Sequence, residues 1–495
     1  MQEHTKSSTL ENAIALQKYG VGQPVRRKED DTLVRGKGRY TDDFNLPNQA
    51  YAVVVRSTHA HGIIRGIGLD AAKAMPGVLG AWSGKDLDAA GYGPFTCGLP
   101  LKSRDGSPLL QTNRQPLATD KVRFVGDPVA FVVAETLAQA RDAAEAVELD
   151  IEPLPAVTDP EAAAKPGAPQ LYDHIPGNVA LDYHYGDMDK VNAAFASAAH
   201  VTKLDIENTR VAVVSMEPRV GLASYDKKTE RYTLQVPTQG VAGNRANLAK
   251  NLKVPNEKVR ILTANVGGSF GMKNINYPEY MCILYAAKAL GRPVKWLDER
   301  STSFLSDSHG RAQKIHAELA LDAEGHFLAA KLSGYGNLGA YITGVAPGPL
   351  SLNTGKNFSS VYRTPLMAVD IKVVLTNTTL MGAYRGARPA RGELLHGAAD
   401  RPRRRRDGHQ PADLAQAQLH QAEPDPVRGV LRGHLRQRRL PGRVQQGARN
   451  LRPRELRQAQ EGEQEGGQAA RHCGWLLSRG HGAAEPRARQ DRVRS

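Results

Sequence analysis

Cysteine is scarce in this chain: three among 495 residues, Cys97, Cys282 and Cys473. They lie far apart and match no Cys-x-x-Cys spacing. That excludes an iron–sulfur cluster or zinc site built from the chain's own thiols, argues against a disulfide scaffold, and fits a reducing compartment. No apolar run approaches the ~20 residues that a membrane-spanning helix needs. The first twenty residues hold neither a signal-peptide core nor a twin arginine. The expectation is a cytoplasmic protein with no membrane partner. A further absence is regional. From Ala387 to Ser495 there is no Lys, Ile, Phe, Tyr, Met or Thr, while Arg occurs 23 times. A packed core needs large branched and aromatic side chains, so residues 388–495 read as a disordered segment. The same segment distorts the charge. The formal +15 of the whole chain falls to +4 over residues 1–386, because 23 Arg face only 12 Asp and Glu beyond them. The excess lacks aromatic interleaving and a binding fold, so a nucleic-acid partner is not expected.

The remainder has every residue type and an α+β pattern. Residues 1–19 form a flexible lead-in, and 21–45 read as an extended polar loop. Ala50 to Arg56 is rich in β-formers, Asp70 to Met75 is a short helix stopped by Pro76-Gly77, and Val122 to Val133 is a strand pair bent at Gly126-Asp127-Pro128. Thr136 to Val147 is an alanine-rich helix and Glu148 to Pro153 a strand. The Ala/Pro-rich stretch from Pro153 to Pro169 reads as a linker. A second, larger unit follows, with strands at 199–205, 211–215, 231–236, 259–266, 314–321, 327–335 and 369–376, and helices at 242–252 and 278–290.

Four segments carry polar groups where chemistry could sit. They are Ser215-Met216-Glu217-Pro218-Arg219, Pro237-Thr238-Gln239-Gly240, Val266-Gly267-Gly268-Ser269-Phe270-Gly271-Met272-Lys273, and Gly382-Ala383-Tyr384-Arg385-Gly386. Gly267, Gly268 and Gly271 allow close approach of backbone to a ligand and leave N–H groups for an anion or oxo group. The spacing is neither a P-loop nor a dinucleotide fingerprint. Alone, the segment also reads as a tight strand-to-helix turn. Gln239 offers a neutral donor, or is a surface residue on a turn. Arg385 offers a fixed positive charge, or a surface salt bridge. Glu217 reads as an ion-pair anchor.

Taken together and in order, these segments resemble the molybdopterin-binding large subunit of the xanthine dehydrogenase and aldehyde oxidase family, in particular its carbon monoxide dehydrogenase-like members. Gly22-Gln23-Pro24-Val25-Arg26-Arg27, Gly36-Lys37-Gly38-Arg39-Tyr40 and Val125-Gly126-Asp127-Pro128-Val129-Ala130 belong to the same likeness, which covers residues 20–387. It implies a hammerhead α/β domain over 20–155 and the first part of a molybdopterin-binding domain over 170–387. It further implies a molybdenum–molybdopterin cofactor, in the cytosine dinucleotide form, with no protein side chain on the metal. Gln239 would donate to an oxo ligand. Gly268, Phe270 and Gly271 would set backbone beside the cofactor, and Arg385 would lie on the substrate-side loop. The catalytic residues within this chain are then Gln239 and Arg385. The small-molecule substrate would be an aldehyde or N-heterocycle hydroxylated with oxygen from water. Electrons would leave to a small iron–sulfur subunit and a medium FAD subunit.

Two departures stand out. Members that oxidise CO carry a copper-binding cysteine directly after the loop arginine, where this chain has Gly386. The family also continues for several hundred residues past this loop, including the catalytic glutamate. Residues 388–401 can be back-translated so that deleting one base at codon 387 gives family-like sequence, so 388–495 read as an out-of-frame segment. A natural Arg-rich tail is the competing reading. The present chain is accordingly expected to be inactive. Two other functions stand beside this one: a CO dehydrogenase large subunit, and a non-catalytic binding module with a basic tail.

Overall fold

The computed structural model describes residues 27–359 and 362–387. The lead-in, Gly22 to Arg26, Cys473 and the Arg-rich segment 388–495 lie outside the described residues. Within them, fifteen strands form three sheets. In chain order they are β1 (Ala50–Arg56), β2 (Gly62–Gly68), β3 (Val78–Ser83), β4 (Lys121–Val122), β5 (Pro128–Ala134), β6 (Glu148–Pro153), β7 (Val179–Gly186), β8 (His200–Val211), β9 (Val220–Asp226), β10 (Arg231–Gln235), β11 (Val259–Leu262), β12 (Val294–Leu297), β13 (Gly310–Leu321), β14 (Phe327–Gly339) and β15 (Leu366–Leu375). The α+β expectation holds.

The largest sheet runs β11-β10-β9-β12-β1-β5-β3. Its centre is the parallel pairing of β1 with β12, Ala50 opposite Val294 and Ala52 opposite Trp296. Strands from both sequence units therefore share one hydrogen-bonded sheet. The β5 segment Pro128–Ala134 is buried at every position, as suits a strand covered on both faces. The helix Pro278–Leu290 packs on this sheet and buries nine of its thirteen residues, which explains its nearly unbroken apolar sequence. Pro278 starts it and Gly291, at φ +64°, ends it. A five-stranded sheet, β7-β15-β14-β13-β8, carries a second core that includes Leu319, Leu332, Ile371 and Phe358. The small sheet β4-β2-β6 completes the N-terminal part.

Several readings of the sequence need correction. The stretch Pro153 to Pro169 is a docked segment. Val157 and Asn377 exchange hydrogen bonds of 3.0 and 2.7 Å, and Pro160–Ala163 is a helical turn capped by Asp159. The strand pair of Val122 to Val133 is two strands in different sheets, because the Asp127 carboxylate accepts from Arg123 N–H and closes a turn between them. No strand covers 212–215; Val214 adopts φ +47° there and ends the extended run. Residues 21–45 include a short helix at Asp30–Val34 within their described part. Strands β7, β9 and β12 and the helix Met188–Ala196 carried too little periodicity to be anticipated.

Candidate functional site

Three of the four segments meet at one end of the large sheet. β10 ends at Gln235, and the chain passes through Thr238-Gln239 into the helix Val241–Leu252. β11 ends at Leu262 and leads into the glycine loop. The two are side by side because β10 and β11 are parallel neighbours, Gln235 opposite Leu262. This is the carboxyl end of a parallel strand pair, where open sheets leave a crevice for ligands.

The loop 267–271 has an unusual backbone. Gly268, Phe270 and Gly271 all have positive φ, at +101°, +50° and +107°. For Phe270 that conformation is strained, and neighbouring groups must hold it. Gly271 N–H donates to the Gln239 Oε1 at 2.9 Å, and the Ser269 hydroxyl donates to the same oxygen. Because a backbone N–H cannot accept, this contact fixes the amide's orientation: oxygen toward the loop, NH2 away from it. That NH2 has no hydrogen-bond partner among the described residues, nor do the N–H groups of Gly268, Ser269 and Phe270. Successive N–H groups left free in a segment whose φ changes sign are of the kind that can bind an anion or oxo group. Phe270 is 43 % exposed beside it.

The fourth segment closes on the same loop. A side chain on Gly271 would lie 2.5 Å from the Ala383 carbonyl oxygen, so the two backbones touch there. A side chain on Gly310 would meet the Tyr384 Cβ at 2.5 Å. His309 N–H donates to the Leu380 carbonyl and Gly382 N–H to the His309 carbonyl, at 3.0 and 2.8 Å. Arg311 lies over the Tyr384 ring and donates to the Arg385 carbonyl at 2.6 Å. Gln239, Gly268, Phe270 and Gly271 are thus drawn into one structure, and the backbone of the Arg385 loop abuts it. The Arg385 side chain is exposed and bonds to none of them.

Glu217 is the ion-pair anchor that the sequence suggested. Its carboxylate accepts from Gly267 N–H at 2.8 Å and from the buried Lys273 ammonium at 2.9 Å. Burial pulls the Lys273 pKa down and Glu217 pulls it back up; the first effect is larger. Behind the loops, Arg219 is wholly buried and bonds to Glu279, Asp298 and Asp307. Burial pushes the Glu279 carboxyl up, but Arg219 and Arg56 outweigh it and hold its pKa at about 2. For Asp298 burial wins and the pKa is raised. Asp307 begins the segment 307–310 that carries His309, so this charge cluster underlies the Tyr384–Arg385 loop.

Sequence reasoning placed Ser269, Lys273 and Arg219 in the singled-out segments without giving them a role, and missed Arg311. A lysine closing a glycine-rich turn is a weak signal for Lys273. The others had none, since their partners lie 30 to 88 residues away.

Residues 35–155 match the family model for the aldehyde oxidase and xanthine dehydrogenase a/b hammerhead domain, and residues 171–395 match that for the molybdopterin cofactor-binding domain. The chain is 35 % identical over 378 residues to the 6-hydroxypseudooxynicotine dehydrogenase complex subunit gamma of Paenarthrobacter nicotinovorans, covering 74 % of this chain and 45 % of that one. It is 31 % identical over 398 residues to the carbon monoxide dehydrogenase large chain of Afipia carboxidovorans, covering 78 % and 48 %. Its fold is similar to that of quinoline 2-oxidoreductase from Pseudomonas putida 86, with TM-score 0.75, 30 % identity, and coverage of 81 % and 50 %. The chain spans about half the length of these relatives. Among the described residues no helix is long and apolar enough to cross a membrane.

Proposed function

Because the chain belongs to the xanthine dehydrogenase and aldehyde oxidase family of molybdopterin-binding large subunits, we propose that loops 238–239, 267–271 and 383–386 are one half of the seat of a molybdenum–pterin cofactor, in its cytosine dinucleotide form. The observation that carries this reading is the Gln239 amide, fixed by its oxygen on the glycine loop and left with its NH2 unpartnered among the described residues. Such groups suit oxygen-rich ligands, and Gly268 and Gly271 let the Phe270 ring and the Ala383 backbone close on the loop. When bound, the cofactor supplies oxidative hydroxylation of an electron-poor carbon with oxygen from water. In this arrangement the Gln239 NH2 would donate a hydrogen bond to the bound cofactor. The N–H groups of Gly268 to Phe270 would hold a second electronegative atom, and Arg385 would offer a positive charge toward the substrate.

The substrate class is an aldehyde or an N-heterocycle, in a cytoplasmic complex with separate iron–sulfur and FAD subunits. A carbon monoxide dehydrogenase is disfavoured by Gly386. It brings no thiol for copper, and at φ +77° its backbone disfavours a substituted cysteine. The composition beyond Ala387 supports an out-of-frame segment. Removing one base at codon 387 tests this. The restored protein, made with its partners, should oxidise aldehydes or N-heterocycles and not CO. An early in-frame stop, or rapid CO oxidation with copper present, would refute the reading.

A further inference from the structure

Lys273 contacts the site in two ways that its place in the sequence does not suggest. Its ammonium, fully buried, donates to the Glu217 carboxylate at 2.9 Å and to the Glu217 carbonyl at 2.8 Å. Its own carbonyl accepts from the Thr238 hydroxyl at 3.1 Å and from Gln239 N–H at 3.4 Å. Glu217 in turn pairs with both backbone groups of Gly267, at 2.8 and 3.0 Å. Gly271 N–H ends on Gln239. The glycine loop is therefore tied at its first residue through Glu217, which the Lys273 ammonium holds, and at its last through Gln239, whose turn rests on the Lys273 main-chain carbonyl. The Glu217 backbone receives a further bond from the Ser215 hydroxyl at 2.8 Å, so the anchor is itself immobilised.

We propose that Lys273 is a positioning residue for the cofactor seat: through Glu217 and the 238–239 turn it keeps the loop 267–271 in its positive-φ conformation and the Gln239 amide turned with its NH2 free. Phe270 would not adopt φ +50° unless the loop were held at both ends. A buried lysine ammonium bonded to the carboxylate and the carbonyl of one residue, Glu217, is a costly device if it only fills space, since an apolar side chain would do that without desolvation. The inference rests on the reading of this loop as the cofactor's seat, but its test needs no cofactor.

Hydrogen–deuterium exchange of the full 495-residue chain, read over 266–274 and 237–241, compares wild type with Lys273→Met, Glu217→Gln and the double variant. The helix 278–290 serves as control. Lys273→Met should speed exchange of the Gly267, Gly271 and Met272 amides by on the order of tenfold, with the control helix within about twofold. The double variant should be no faster than Lys273→Met alone, because both act on one tie. Unchanged loop exchange in Lys273→Met, or additive effects in the double variant, would overturn the proposal. Equal acceleration in the control helix would also overturn it, by reducing Lys273 to general packing. If Lys273→Met does not fold, Glu217→Gln alone decides by the same loop-against-helix comparison. Loss of the cofactor reading would leave this exchange pattern in place, whereas failure here would leave cofactor binding untouched.

Discussion

Gly271 and Ala383 touch backbone to backbone: a side-chain carbon on Gly271 would sit 2.5 Å from the Ala383 carbonyl oxygen and 2.8 Å from its carbon. These residues lie on the glycine loop and the arginine loop, so the contact sets the gap between the two halves of the site. Gly271→Ala must both clash and hold an alanine at φ +107°. The expected cost is about 2–4 kcal/mol, above what a surface-loop glycine exacts. Urea denaturation measures it. A loss below about 0.5 kcal/mol would mean that the loops are free to part.

Arg385 should separate function from folding. Its side chain is exposed and bonds to none of the other candidate residues, so Arg385→Ala should change the stability of the present chain by no more than about 0.5 kcal/mol. In the frame-restored enzyme the same change should lower turnover by on the order of a hundredfold, as loss of a fixed charge near a reacting oxygen does. Thermal melts and steady-state rates check the two halves. Wild-type rates would remove Arg385 from the site.

Gln239 makes a finer distinction. Gln239→Glu retains an acceptor for Gly271 N–H and the Ser269 hydroxyl but loses the free NH2. The loop should keep its order, by the exchange of Gly271, while the restored enzyme slows by about tenfold or more. A variant with wild-type rate would show that the amide donor is idle.

Acid should weaken the fold in two windows. Burial, reinforced by Arg210, pulls the His309 pKa down from 6.5 to about 4. The unfolded chain therefore binds a proton at higher pH than the folded one. The stability this gives is complete above about pH 6.5 and lost as pH falls to about 4, up to about 3 kcal/mol. Buried His61, also lowered, acts in the same direction. Glu279, held at about 2 against an ordinary 4.5, contributes stability above about pH 4.5 that is lost as pH falls toward 2. His309→Asn should flatten the upper window and leave the lower one. Chemical denaturation from pH 7.5 to 2 reads both windows; an unchanged upper slope in the variant would contradict the assignment.

The elements that could be read from sequence were those whose own residues dictate them. The helix 278–290 has a proline start, a glycine stop and an apolar body interrupted only near its ends by Glu279 and Lys288, and Ala50–Arg56 is a run of β-formers. The site was legible as a set of motifs, since glycines and a glutamine in order narrow the chemistry. What binds them was not. Lys273 and Glu217 are 56 residues apart and Arg219 and Asp307 are 88, and a pairing between distant charges has no local signature. The shared sheet was hidden for the same reason. The parallel pairing of β1 with β12 joins residues more than 240 positions apart, across a stretch whose Pro and Ala content resembled a linker.

Metal content tests the proposed cofactor seat most directly. Molybdenum should be measured by elemental analysis on purified protein, for the present chain and for the chain with one base removed at codon 387, each made with iron–sulfur and flavin partners. The account predicts close to one molybdenum per restored large subunit and almost none on the present chain. A restored chain without molybdenum, or a stoichiometric metal on the present one, would contradict it.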